Sequence, residues 1–144
     1  MRRCRSSGDT ITVKFSMTPQ VIEANPRVVG DYGRVAVQRG PLVYCLEQLD
    51  PSDGVPLFDV SRDVRQEVSS RFHEEFHNDM LGGIVVLKHP GAISEKFASH
   101  GALYRPNTAD APKARQVERK FVPYYAWANR AATPMQVWTP ILKA

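Results

Sequence analysis

The chain has 144 residues, with 42% hydrophobic and 24% charged side chains, so it is long enough to bury a core and ordinary for a globular protein. The formal charge is +4, but Arg2, Arg3 and Arg5 supply three of those charges, and acidic residues are interspersed through the rest. That pattern argues against a nucleic-acid partner, which favours a basic stripe on the fold itself. No apolar run approaches the roughly 20 residues that cross a bilayer, so no membrane partner is expected. The basic start of the chain lacks an apolar h-region and does not read as a signal peptide, which leaves a cytoplasmic location as the default.

Residues 1–7 read as a disordered basic tail, and 8–144 as a single β-domain. Thr10 to Met17 alternates, with Ile11, Val13, Phe15 and Met17 on one face and Thr10, Thr12, Lys14 and Ser16 on the other. This is the pattern of a half-buried strand, ended by Thr18-Pro19, with Val21-Ile22 as a short continuation. Asn25-Pro26 and Gly30 to Gly33 bracket a loop. Arg34 to Asp50 is the longest strand-forming stretch. Val35 and Val37 alternate with Ala36 and Gln38, and Leu42 to Leu46 is apolar enough to be covered on both faces. Gly40-Pro41 between them predicts a bulge or bend joining two half-strands.

Asp50 to Gly54 is a turn cluster, and Val55 to Val60 predicts a short strand. From Val64 to Met80 apolar residues recur every four positions, yet all odd positions are polar. The balance favours an extended chain, above all from Phe72 to His77. Leu81-Gly82-Gly83 precedes a β-branched strand, Ile84 to Leu87, after which His89-Pro90-Gly91 is expected to turn the chain. Ser94 to Ser99 is weakly helical or irregular, Leu103 to Arg105 is a short apolar piece, and Thr108 to Lys113 is a loop. Val117 to Ala128 predicts a strand entering an aromatic cluster. Met135 to Trp138 predicts a last strand, stopped by Pro140. Many short strands, Gly/Pro turns and little helix predict an all-β fold, an antiparallel β-sandwich or jelly roll.

Candidate chemistry is sparse. His73-Glu74-Glu75-Phe76-His77 matches H-E-x-x-H, which holds zinc when a helix brings the two histidines one turn apart, with Glu95, His89 or His100 as possible third ligands. In a strand the same residues are about 13 Å apart and cannot share an ion. Surface histidines on a polar strand face are therefore expected, and no metal site is assigned. Tyr124, Tyr125, Trp127 and Trp138 are candidates for a carbohydrate-stacking platform, since sugars pack on flat rings. The alternative, favoured by residue type, is that these rings fill the core. Asn129-Arg130 either contacts sugar or satisfies a turn. Cys45, in an apolar run, reads as a buried free thiol, and Cys4 lies in the tail. Glu23, Glu47 and Glu118 lie near strand edges, with nothing local to pair them as acid and base. No catalytic residue is assigned.

Three ordered blocks carry a resemblance. Asn25 to Val28 with Gly33 to Glu47, Met80 to Leu87, and Pro123 to Arg130 with Met135 to Trp138 together resemble the C-terminal region of glycoside hydrolase family 127, the β-L-arabinofuranosidase-like proteins. One departure is Ala131 to Pro134, where the family often has a Gly-Pro-Gly-like turn. The resemblance, which runs from about Gly8 to Pro140, implies a C-terminal accessory β-sandwich. It also implies a partner, the catalytic (α/α)6 barrel, which carries a cysteine nucleophile, a glutamate and a zinc site of cysteines and glutamate. None of those catalytic motifs matches a position here, so no cofactor is expected in this chain. Arabinose-containing glycans of plant type are the implied sugar partners.

Overall fold

The computed structural model describes residues 7–50, 60–61, 72–94 and 114–140. Nine strands appear in it: β1 (Pro19–Glu23), β2 (Arg34–Arg39), β3 (Leu42–Glu47), β4 (Val60–Ser61), β5 (His73–His77), β6 (Ile84–Ser94), β7 (Ala114–Pro123), β8 (Met135–Gln136) and β9 (Thr139–Pro140). All pairings are antiparallel. They join in one sheet of order β1-β2-β3-β7-β6-β4, with β5 on β6, β8 on β3 and β9 on β2. The sheet curls into half a barrel, and the expected all-β antiparallel class holds.

Alternation along the strands builds two cores, one on each face of the sheet. Val37, Tyr44, Leu46, Leu87 and Phe121 fill one, with Leu42, Phe72 and Val85 packed against it. Cys45, Met80, Ile84, Val86, Val122 and Ala126 fill the other, flanked by Met135 and Val137. The first lies inside the curl. There the Tyr44 hydroxyl donates to the Val85 carbonyl at 3.0 Å, from β3 to β6 across the intervening β7. At the rim, Arg39 of β2 reaches Glu74 of β5 at 2.7 Å. Leu42 to Leu46 is covered on both faces from Tyr44 onward, as its composition requires.

Several sequence expectations need correction. Gly40-Pro41 is a two-residue hairpin turn between antiparallel β2 and β3, where Arg39 faces Leu42. Gly40 has φ +58°, the left-handed geometry that glycine supplies at such a loop. The chain reverses there instead of bending. His89-Pro90-Gly91 does not turn the chain, because β6 runs through it and pairs with Arg119, Glu118 and Val117 of β7. Among the described residues β5 pairs with β6 as far as Lys88 and β4 with Ala92 and Ile93, and Pro90 has no ladder partner on that side, which is where a strand tolerates proline. The turn between β5 and β6 falls instead at Leu81, Gly82 and Gly83, all with positive φ.

Thr10 to Met17 forms no strand, and Ile11, Val13 and Phe15 stand exposed. The first strand is β1, the short piece around Val21-Ile22. β7 ends at Pro123, and Tyr124–Ala126 is a 3-10 turn rather than more strand. The last expected strand splits into β8 and β9, and Pro140 lies within β9, opposite Arg34. The expectations for 1–6, 51–59, 62–71, 95–113 and 141–144 fall outside the described residues.

Candidate functional site

The expected sugar-binding rings lie where β7 leaves the sheet. β7 ends at Pro123, which still pairs with Tyr44 of β3, and the following 3-10 turn leaves Tyr124 and Tyr125 exposed. Tyr124 is 46% exposed, Tyr125 55% and Trp127 38%, so the core-packing reading fails for these three. Tyr124 and Trp127 stack, with centroids 6.2 Å apart and planes 28° apart. The Trp127 indole N–H donates to the Thr133 carbonyl at 2.9 Å, which fixes the ring within its own loop. Trp138 is separate from them: it is half-buried between β8 and β9, and its carbonyl accepts from Arg34 Nη1 at 3.3 Å. Ala126, between the exposed rings, is the buried anchor of the turn.

A charged cluster holds this ledge in place. Glu47 ends β3 facing the core that also contains Cys45, and its side chain is fully buried. One carboxylate oxygen accepts the Ala128 N–H at 3.0 Å, and the other accepts from Arg130 Nη2. Arg130 grips Asp50 with both terminal nitrogens, each at 2.8 Å, and Lys120 lies 3.7 Å from Asp50. The two carboxylates hold the Arg130 guanidinium charged: its pKa is raised, Asp50 being the larger cause, although burial opposes them. Ala128 sits at φ +64°, a conformation unusual for a residue with a Cβ. Asn129 folds back on the Ala126 carbonyl through its backbone N–H at 3.3 Å and its side-chain amide at 3.4 Å. Asn129-Arg130 thus satisfies the turn.

This clamp went unread because its members are 83 residues apart. The available signal was a glutamate closing an otherwise apolar strand at a core-facing position, which demands a buried cationic or N–H partner. Chemically, Glu47 and Asp50 share Arg130, with Lys120 beside Asp50, so both are held in ion pairs and are not placed as a free acid and base across a glycosidic bond. Glu23 and Glu118 are exposed and lie on β1 and β7, away from the clamp. Cys45 is wholly buried, and its thiol is pushed up to about 12 by burial, then by the charges of Glu47 and Asp50. It is a packed thiol and not an activated one.

His73 to His77 is an edge strand, in register with Lys88 to Ile84. His73 is exposed. His77 is half-buried, with Glu75 at 3.1 Å and Asp79 at 3.7 Å, while Glu75 is held by Lys88 at 2.5 Å. The two histidines sit four strand positions apart, too far to share an ion. His89 lies apart from them in the interior against Phe72, and its Nδ1 is bonded to the Pro90 carbonyl. Among the described residues no three His, Cys, Asp or Glu side chains converge on one point.

Residues 19–140 match the model of the glycoside hydrolase family 127 C-terminal domain. A non-reducing end β-L-arabinofuranosidase from Bifidobacterium longum subsp. longum is 35% identical over 136 residues, covering 92% of this chain and 20% of that enzyme. The crystal structure of a family 127 β-L-arabinofuranosidase from Geobacillus stearothermophilus T6 superimposes with a TM-score of 0.71 at 34% identity. It covers 86% of this chain and 18% of that one. A solved glycoside hydrolase gives a TM-score of 0.73 at 30% identity, over 87% of this chain and 19% of its own. The chain spans about a fifth of the length of these relatives. On the matched region and the shared fold, this chain belongs to glycoside hydrolase family 127 through its C-terminal domain.

Proposed function

We propose that the chain is the accessory C-terminal β-domain of a β-L-arabinofuranosidase-type glycoside hydrolase and does not turn over substrate by itself. Its role is structural, packing against a catalytic domain of the (α/α)6-barrel kind, which in this family carries the cysteine nucleophile, the glutamate and the zinc. The observation that carries this reading is the match of 19–140 to a C-terminal domain amounting to a fifth of its relatives. The fate of the candidate chemistry supports it: Cys45 is buried and neutral, Glu47 and Asp50 are locked to Arg130, and His73 and His77 are splayed along a strand. The test is hydrolysis of an aryl β-L-arabinofuranoside by the purified chain. The expected rate equals that of a heat-killed control, and turnover above it overturns the proposal.

A second reading rests on the exposed ledge of Tyr124, Tyr125 and Trp127. Rings fixed from behind and open in front suit stacking on a furanose face, and the loop is already ordered, which lowers the entropic cost of binding. In this reading the domain also holds arabinose-containing glycans. Intrinsic fluorescence should then shift saturably with arabino-oligosaccharide, and Trp127→Ala should abolish the shift while Trp138→Phe preserves it. A flat titration of the wild-type chain removes this reading and leaves the first intact.

A further inference from the structure

The first glutamate of the H-E-x-x-H run is turned away from its histidines. Glu74 stands opposite Leu87, whose side chain fills the core inside the curl, so alternation puts Glu74 on the concave side and His73, Glu75 and His77 on the other. There it meets β2. Arg39 Nε donates to Glu74 Oε2 at 2.9 Å, and Arg39 Nη2 approaches the same oxygen at 2.7 Å. Both contacts fall on one oxygen, and Glu74 Oε1 has no protein partner among the described residues. The Glu74 side chain is 39% exposed. Arg39 is held from beneath by a hydrogen bond with the buried Tyr44 hydroxyl, whose own proton goes to the Val85 carbonyl. Tyr44 pairs with Pro123, and Tyr125 lies two residues beyond, near enough for its charge to act on the same hydroxyl. In a 3-10 turn residues three apart share a side, as Tyr124 and Trp127 do, and the residue between them is turned by roughly 120°. Tyr125 therefore faces away from their stack. An exposed ring, a fixed guanidinium and an open carboxylate oxygen thus gather at the mouth of the curl. The ion pair sums to zero charge, so it favours neither an anion nor a cation, and it offers a donor and an acceptor to a neutral hydroxylated ligand.

We infer that Tyr125, Glu74 and Arg39 form a subsite for one sugar residue of a neutral glycan, with the ring face on Tyr125 and neighbouring hydroxyls bonded to Glu74 Oε1 and the Arg39 guanidinium. This rests on the ledge reading above and supplies what stacking lacks. Aromatic rings accept many apolar faces, whereas a site built to bond a hydroxyl rejects the analogue without it. Charge-assisted hydrogen bonds are the stronger kind, and Arg39 is already held by Glu74 and Tyr44, so binding has little left to order. A second residue of the same glycan stacks on Tyr124 and Trp127.

The test is isothermal titration calorimetry of the full chain with an arabino-oligosaccharide and with the same compound per-O-methylated, which has no hydroxyl to donate. The wild-type chain should bind the free oligosaccharide about 10- to 100-fold more tightly than the methylated one. Glu74→Ala should remove most of that preference, a ratio within one variant that does not depend on how much of it is folded. Tyr125→Ala should weaken binding of both compounds, and Tyr125→Phe should bind both as the wild type does. Equal affinity of the wild type for the two compounds overturns the inference, as does a Glu74→Ala chain that keeps the full preference. Binding that is lost in Trp127→Ala but keeps its preference in Glu74→Ala overturns this inference and leaves the ledge reading standing. A wild-type chain that binds neither compound overturns both.

Discussion

At the scale of single residues, the clamp of Glu47, Arg130 and Asp50 is the most consequential feature, because it places charge inside an apolar face. Breaking such a group by removing one partner leaves an uncompensated buried charge, which typically costs about 3–5 kcal/mol. Arg130→Met should therefore lower the unfolding free energy measured in urea by an amount of that order, and the exposed Tyr124–Trp127 ledge should loosen with it. Glu47→Gln keeps an acceptor for the Ala128 N–H and should cost less. Equal losses for the two variants would show that the ion pair is not what holds the loop. Cys45 and Tyr44 make a second prediction. Burial raises the thiol from 9.0 to about 12 and the phenol from 10.0 to about 12. For a group whose folded pKa is raised, the stabilisation is complete below the unfolded value and is lost as pH climbs to the folded one. Stability should accordingly fall between about pH 9 and pH 12, and Cys45→Ala should flatten the part of that slope nearest pH 9. An unchanged slope in the variant would remove Cys45 as its source.

At the scale of elements, the turn from β5 to β6 depends on backbone that few residues adopt. Leu81, Gly82 and Gly83 have φ of 49°, 76° and 125° in succession. The Gly83 N–H closes the turn on the Met80 carbonyl at 2.8 Å. At φ near 125° a side chain is strained whatever the space around it, and a Cβ there would also come 2.6 Å from the Phe76 ring. Gly83→Ala should cost of order 1–3 kcal/mol in chemical denaturation. Gly82→Asn should be milder, because asparagine tolerates the left-handed region and no atom stands close to that site. Two equally mild substitutions would mean that the hairpin can take another turn. The β-hairpin elements were largely readable beforehand, since alternation from Val35 to Val37 and the β-branched run at Ile84 to Leu87 are local signals. The Pro90 site was not, because whether a proline breaks a strand depends on which neighbours need its missing N–H.

At the scale of the whole molecule, the C-terminal strands pair back onto the centre of the sheet. β9 pairs Thr139 with Val35, and the Thr139 hydroxyl donates to the Val35 carbonyl at 3.2 Å. β8 pairs Gln136 with Leu46 and Met135 with Glu47, on the strand that also carries the clamp. Removing residues 135–144 should therefore expose β2 and β3 together and abolish the cooperative unfolding transition. A truncated chain that still unfolds in one sharp step would refute that role for the C-terminal strands. Contacts of such long sequence separation also place folding in the slow range, milliseconds to seconds, measurable by stopped-flow fluorescence from Trp127 and Trp138.

By itself the sequence determined the all-β class, the central pair of strands, the extended state of the H-E-x-x-H residues and, through three ordered blocks, membership of the family. Each of these rests on neighbours in the chain: alternation with a period of two, turn residues, and the composition and order of the blocks. Only the tertiary structure decided that Glu47 and Arg130 meet, that Tyr124, Tyr125 and Trp127 face outward, that Pro90 lies inside a strand, and that Ile11, Val13 and Phe15 have no cover. The physical reason is common to all four. A side chain's type states what surroundings it requires, such as a countercharge, a ring contact or an apolar neighbour. Which distant segment supplies them, or whether this chain supplies them at all, depends on how the strands are paired and on which edge of the sheet is left open.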